Sequence, residues 1–213
     1  MAELTDSLTE LLDGQADQIG QRIGADPART RSAIDAAVPA LLAALSAEAE
    51  EPGLRTAIRQ DHDGSILDQL SGYLDGTAQL SPRTTNGAGI LEHTLGDRQS
   101  EMAQALSAKS GLDLGSIMKL LPLLAPILMG MLGKKSGGSS GGSGGGGGGF
   151  GLDDLGDILG REKESARQKN PDIGDILDSF AKPRRSGGSG GSKSGDGGLL
   201  DSIGDMLGGD RSR

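Results

Sequence analysis

The residues best suited to chemistry are the two histidines and the aspartates around the first of them, in Asp61-His62-Asp63-Gly64. Carboxylates and imidazoles bind metal ions, but a calcium loop needs about a dozen residues with a ligand at nearly every second position. The pattern here stops at Asp63 and turns into the apolar run SILDQL. We therefore predict a helix N-terminus, capped by Asp63, rather than a metal site.

The second histidine, His93, is far from His62 in sequence, and the chain has no cysteine. A zinc site would need both imidazoles together with carboxylates, and no short-spaced pair of ligands anchors one. We expect each imidazole to be a partly exposed side chain. No metal and no cofactor is predicted.

Motifs of the common enzyme classes are missing from the sequence. It contains no Gly-x-Ser-x-Gly elbow and no GxxxxGK[ST] phosphate loop, and no two carboxylates are marked as a facing catalytic pair. The glycine run at 137–149 follows no predicted strand, so it is expected to be a linker. We predict a protein that is not an enzyme and has no catalytic residues.

The charge of the chain argues against a nucleic-acid partner. Its net charge is -9, and the acidic excess lies before Gly133, where there are 18 acidic and 9 basic residues, against 12 of each after it. An acidic domain is repelled by phosphate backbones and by anionic membranes. The start MAELTDSLTELLDG lacks the basic and apolar regions of a secretory signal, so we expect a cytoplasmic, bacterial protein.

Residues 3–133 show helical periodicity nearly throughout, with no alternating run typical of a strand. Asp26-Pro27 is a helix start, because a carboxylate caps and proline is favoured at the first position. Residues 19–45 align without gaps to 102–128, 83 positions later, with matched prolines at 39 and 122. We predict an all-α bundle over 1–135, built from two related halves.

After Ser136 the composition changes to glycine, serine and charge. Such sequence cannot bury enough apolar surface to offset its ordering entropy. We predict that 136–213 is a largely disordered tail that carries three short amphipathic motifs, at 152–159, 173–180 and 200–207.

The runs GQRIGADPARTRSAIDAAVPALLAALSAEA and SGLDLGSIMKLLPLLAPILMGMLGKK, with HDGSILDQLSGYL and GILEHTLGD between them, carry a family resemblance. The chain resembles the bacterial domain of unknown function 937 family over roughly 4–135. That resemblance implies a helical protein whose glycine-rich C-terminus bears short Leu/Asp/Gly motifs. It supplies no catalytic residues.

The apolar segment 116–132 is a candidate membrane span. It is at the lower end of a spanning length, with Lys119 inside and two prolines four residues apart. We expect a buried core helix, kinked at those prolines. Docking on or into a bilayer is the alternative, and it would make the protein a membrane-associated regulator.

The three tail motifs repeat one pentapeptide, LGDIL, IGDIL and IGDML. Helices this short are marginal in water, so they should form only on a surface that accepts their apolar stripe. Three copies on flexible linkers suit multivalent binding. We predict a self-associating scaffold or an adaptor, binding itself or another protein through Leu155, Ile158, Leu159, Ile173, Ile176, Leu177, Phe180, Ile203, Met206 and Leu207.

Overall fold

The computed structural model describes residues 4–137, 155–169 and 171–182, and every regular element in these ranges is helical. The predicted all-α fold is therefore confirmed. The α-helices of these ranges are α1 (Leu4–Asp13), α2 (Ala16–Ile23), α3 (Pro27–Ala47), α4 (Pro52–Asp61), α5 (Ser65–Asp68), α6 (Leu70–Asp75), α7 (Gly87–Thr94), α8 (Gln99–Ser110), α9 (Leu114–Gly137), α10 (Leu155–Lys169) and α11 (Gly174–Phe180). Short 3-10 turns precede α8, at Gly96–Arg98, and α11, at Pro171–Ile173.

Helix α3 lies at the centre of the bundle. Helices α1, α2, α8, α9, α10 and α11 all pack against it. From Ala33 to Leu45 every side chain except Asp35 is buried. A helix that is apolar on all sides must be surrounded by others, and the many alanines of α3 let those neighbours approach closely.

The predicted start of α3 is confirmed at atomic detail. The Asp26 carboxylate accepts a hydrogen bond from the Arg29 backbone N–H at 3.0 Å. The preceding helix ends at Gly24, whose φ of 81° is the left-handed conformation that favours glycine. Helix α9 begins in the same way, because Gly111 has φ 70° and Asp113 accepts from the Ser116 N–H at 2.9 Å.

The two helical hairpins, α2–α3 and α8–α9, therefore match at a spacing of 87 residues. Gly24 corresponds to Gly111 and Asp26 to Asp113. This register is one helical turn longer than the predicted spacing of 83. A shift of one turn keeps the same face of the helix, which is why apolar positions also matched in the predicted alignment.

Helix α9 contains the segment 116–132 and is a core helix. It packs against α2, α3, α4, α5, α7 and α8. Among the described residues, α9 alone is long and apolar enough to cross a membrane. Of its most apolar stretch of 18 residues, 67% is buried inside the protein.

Glycines allow two neighbours to approach α9 closely. A Cβ on Gly133 would overlap the carbonyl oxygen of His62, and one on Gly87 would overlap the carbonyl oxygen of Pro122. The Pro122 carbonyl has no helical partner, because Pro126 lacks the N–H that would reach it. The bare Cα of Gly87 therefore lies directly against this carbonyl.

The packing unit extends beyond residue 135. Side chains of α10 and α11 belong to the same hydrophobic cluster as those of α1 to α9. The expected boundary at 135/136 thus does not separate 155–169 and 171–182 from the helical bundle. The third motif, 200–207, lies outside the described residues.

Candidate interaction site

The groove that receives the tail has α3 as its floor. Helices α10 and α11 both lie along α3, while α1 borders α10 and α8 borders α11. The groove therefore holds the segment 155–182, which includes the first two tail motifs. Its floor is α3, and its two walls are α1 and α8, which the sequence places far apart.

The first motif enters the groove with two leucines on one face of α10. Leu155 and Leu159, four residues apart, are both fully buried, and Ala166 extends the same face. Ile158 is half-buried, and Asp157 faces solvent. This arrangement is a helix laid in a groove, with its apolar stripe down.

A buried carboxylate fixes the position of α10. Glu162 lies on the apolar face of the helix and is 8% exposed. Its carboxylate accepts hydrogen bonds from the backbone N–H groups of Leu4 and Thr5 and from the Thr5 hydroxyl. Glu162 therefore caps the N-terminus of α1, whose first N–H groups have no partner within the helix.

The second motif docks through Ile173, Leu177 and Phe180, all of which are buried, while Ile176 is half-buried. The Arg98 guanidinium lies over the Phe180 ring, 4.7 Å from its centre. It also donates hydrogen bonds to the carbonyl oxygens of Ser179 and Lys182. Arg98 thus holds the C-terminal end of α11 by stacking and by hydrogen bonds to carbonyls in and beyond its last turn.

Two exposed ion pairs join the tail to the bundle. Lys169 contacts Asp6 on α1 at 2.7 Å, and Lys109 on α8 contacts Asp172 at 3.0 Å. Exposed ion pairs contribute little stability. They hold the junction between α10 and α11 in place, because Lys169 and Asp172 are three residues apart and pair with α1 and α8, on the two sides of the groove.

An acidic cleft lies where α1, α3 and α10 meet. It is lined by Asp13 and Asp35, with Lys169 at its edge. One carboxylate oxygen of Asp13 is buried without a hydrogen-bond partner. Desolvation, and then the charge of Asp13, raise the pKa of the Asp35 carboxyl above its usual value.

The structure brings six of the ten predicted partner-binding side chains to one groove of the same chain. Five are buried and Ile176 is half-buried against them, whereas Ile158 is half-buried and does not belong to this cluster. The other three, Ile203, Met206 and Leu207, lie outside the described residues. The tail motifs that the structure describes therefore contact α3 rather than solvent.

Sequence reasoning did not find the polar groups of the groove, Glu162 and Arg98. A signal for Glu162 was present, because it lies seven residues after Leu155 and three after Leu159, on the apolar face of a helix. The sequence of α3 also indicates that other helices cover it on every side, since its alanines leave no polar face for solvent. Arg98 left no signal, because its partners come from a distant part of the chain.

The prediction that both imidazoles are partly exposed is wrong for His62. His93 is exposed, but His62 is 2% exposed, and its Nδ1 is buried without a hydrogen-bond partner. Both line one cleft between α4 and α7. Desolvation lowers the pKa of His62, against the opposing charges of Asp61 and Asp63. His62 is buried because α9 passes directly against its backbone at Gly133.

The helix start predicted after His62 is present as α5, but its N-cap is Gly64, with φ 94°, and not the predicted Asp63. Asp63 accepts a hydrogen bond from the Ser65 N–H at 2.9 Å, at the start of α5. Hydrogen bonds from Ser65 lower the pKa of this carboxyl. Within the described residues no three histidine or acidic side chains are grouped closely enough to hold a metal ion.

Comparison with known proteins gives one match. The family described as bacterial protein of unknown function (DUF937) matches residues 6–135, which is more than half of the chain. No curated protein and no solved structure matches the chain. The matched region ends before α10, so the groove lies within the family domain while its occupant follows it. The chain belongs to the DUF937 family of bacterial proteins.

Proposed function

We propose that the protein works by association, as a self-associating scaffold whose α3 groove binds the amphipathic helices of its own tail. The proposal rests on the burial of Leu155, Leu159, Ile173, Leu177 and Phe180 in that groove. A second copy presents the same helices and the same groove. Exchange of the segment between copies therefore preserves every contact and is a low-cost route to assembly.

The connection between α9 and α10 supports exchange. Residues 138–154 number 17, of which 13 are glycine or serine. Linkers rich in glycine and serine constrain the segments that they join only weakly. This composition is therefore compatible with docking on the same bundle or on a neighbour. Protein concentration then decides between docking on the same bundle and docking on a neighbour, because a chain meets its own groove at an effective concentration of order mM.

A role in association requires neither catalytic residues nor a cofactor. It also differs from the membrane alternative, in which α9 would have to leave its six neighbouring helices to meet a bilayer. Removing so much buried apolar surface from the core is unfavourable. We therefore propose association through the groove and not through 116–132.

The test uses the absence of cysteine in the natural chain. Changing Lys109→Cys and Asp172→Cys places two thiols where an exposed ion pair joins α8 to the tail. A short bismaleimide then links them within one chain if the tail docks on its own bundle. The same reagent links two chains if the tail docks on a neighbour. Gel electrophoresis separates these products.

We expect linked monomers in dilute solution and linked dimers or larger species as protein concentration rises. Adding Leu155→Ser and Leu159→Ser should abolish both products, whereas Asp157→Ser on the exposed side of α10 should change neither. Linked monomers alone at every concentration would refute self-association. They would leave the groove as an intramolecular contact.

A further inference from the structure

The third tail motif repeats the first motif more closely than it repeats the second. Residues 203–210, which lie outside the described ranges, read IGDMLGGD, and residues 155–162 at the start of α10 read LGDILGRE. Four positions are identical between these two segments, and both segments end on a carboxylate. The second motif has Phe180 at that last position, so it does not share this feature.

The structure shows which positions anchor a motif in the groove. The first and fifth positions of the first motif, Leu155 and Leu159, are fully buried, and the same two positions are buried in the second motif. The third position is an exposed aspartate in both motifs. The two described copies therefore use the same anchors, and the third copy has Ile203 and Leu207 at these positions.

The second position of the first motif is a glycine that approaches the end of α3 closely. A Cβ on Gly156 would lie 3.2 Å from a carboxylate oxygen of Glu50 and 3.8 Å from the side chain of Ala49. A larger side chain at this position would push these groups aside, whereas glycine lets the two segments meet. The third motif meets this requirement, because it has Gly204 at the same position.

The last position of the first segment is the carboxylate that caps α1. Glu162 lies seven residues after Leu155, two helical turns along the same face, and accepts hydrogen bonds from the first N–H groups of α1. Asp210 likewise lies seven residues after Ile203, and aspartate is one of the preferred helix caps. Residues 203–210 therefore carry the two anchors, the glycine and the cap in the same register as α10.

We infer that residues 203–210 are a second ligand of the α10 subsite, which is the part of the groove between α1 and α3 that holds α10. The part that holds α11 suits them less, because a carboxylate would replace the buried ring of Phe180. Each chain then has two ligands for one subsite, so 203–210 competes with α10. A displaced α10 is free to reach a neighbouring bundle, and this consequence alone rests on the proposed function.

The experiment measures the binding of a fluorescein-labelled peptide of residues 199–213 to the full chain by fluorescence anisotropy. Leu155→Ser combined with Leu159→Ser removes the anchors of α10 and opens the subsite. We expect the peptide to bind this variant about tenfold more tightly, or better, than the natural chain, because α10 no longer competes with it. Equal affinity for the two proteins, or no binding to either, would overturn the inference.

Two altered peptides test the role of the cap. The Asp210→Asn peptide should bind the variant about fivefold more weakly than the natural peptide, the effect of losing one helix cap. The Asp205→Asn peptide is the matched control, because it loses the same charge at the position that is exposed in both described motifs. Its affinity should not change. Equal affinities of the two altered peptides would contradict docking in the register of α10.

A second measurement does not depend on the folding of the variant. A peptide with a benzophenone side chain in place of Met206 is irradiated with the natural chain, and mass spectrometry locates the attachment. We expect attachment in α1 or near Glu50, and attachment elsewhere or none would overturn the inference. Dimers that form through Lys109→Cys and Asp172→Cys without any binding of the peptide would refute this inference and leave the proposed function intact.

Discussion

Glu162→Ala tests most directly whether α10 caps the bundle. The carboxylate accepts hydrogen bonds from two backbone N–H groups and one hydroxyl at the start of α1, and all of these groups are buried. Loss of a helix cap costs about 1 kcal/mol. A buried donor left without a partner costs about 1–3 kcal/mol more. We expect the free energy of unfolding to fall by about 3 kcal/mol.

The assay is thermal unfolding followed by circular dichroism at 222 nm. For a domain of this size each kcal/mol lowers Tm by about 2–4 °C, so the expected loss is about 6–12 °C. Hydrogen exchange should accelerate in α1 and α10, which share the cap, and should change little in α4, which packs against α9. This pattern separates a local loss of docking from general destabilisation.

Glu164→Ala is the matched control. Glu164 lies two residues further along α10, is exposed, and accepts one hydrogen bond from Gln168 on the same helix. We expect its Tm to remain close to that of the natural chain. Equal melting of the Glu162→Ala and Glu164→Ala proteins would refute the reasoning, because it would mean that the carboxylate does not hold the tail to α1.

Two further predictions concern the bundle itself. Gly133→Ala should destabilise the bundle by about 1–3 kcal/mol in urea unfolding, because the new methyl group overlaps the His62 carbonyl. Gly160→Ala, whose Cβ would meet nothing, should stabilise the protein by about 0.5–1 kcal/mol. Equal effects of the two substitutions would contradict the packing of Gly133. Asp35→Asn should raise stability at pH 7 and have little effect near pH 3. Desolvation and Asp13 raise the folded-state pKa of Asp35, so its favourable contribution is present below the unfolded pKa and is lost as pH rises through the folded one. A loss of stability at pH 7 would contradict this sign.

Helix content and several helix ends followed from the sequence because their causes are local. Asp26-Pro27 starts α3 and Gly24 ends α2, since capping and the left-handed glycine act within a few residues. The apolar stripes of the tail motifs followed from spacing alone. Each of these features depends on the chain within about one helical turn.

The features of the fold and the site that could not be predicted depend on contacts between distant parts of the chain. Pairing of Arg98 with the end of α11 and burial of His62 under α9 have no local signature. The ends of the two helical hairpins match four residues away from the predicted alignment, because Ala- and Leu-rich helices match almost equally well one turn apart. The glycines that end α2 and α8, with the caps Asp26 and Asp113, distinguish the two alignments.

The central place of α3 has a consequence for synthesis. Its outer face is covered only after Lys182 has been made, 45 residues after α9 ends at Gly137. At about 5–20 residues per second, the ribosome needs about 2–9 s for this stretch. Helical bundles fold in microseconds to milliseconds. Nascent bundles therefore present an open groove for seconds, and on one polysome the first segment to reach that groove can come from a neighbouring chain.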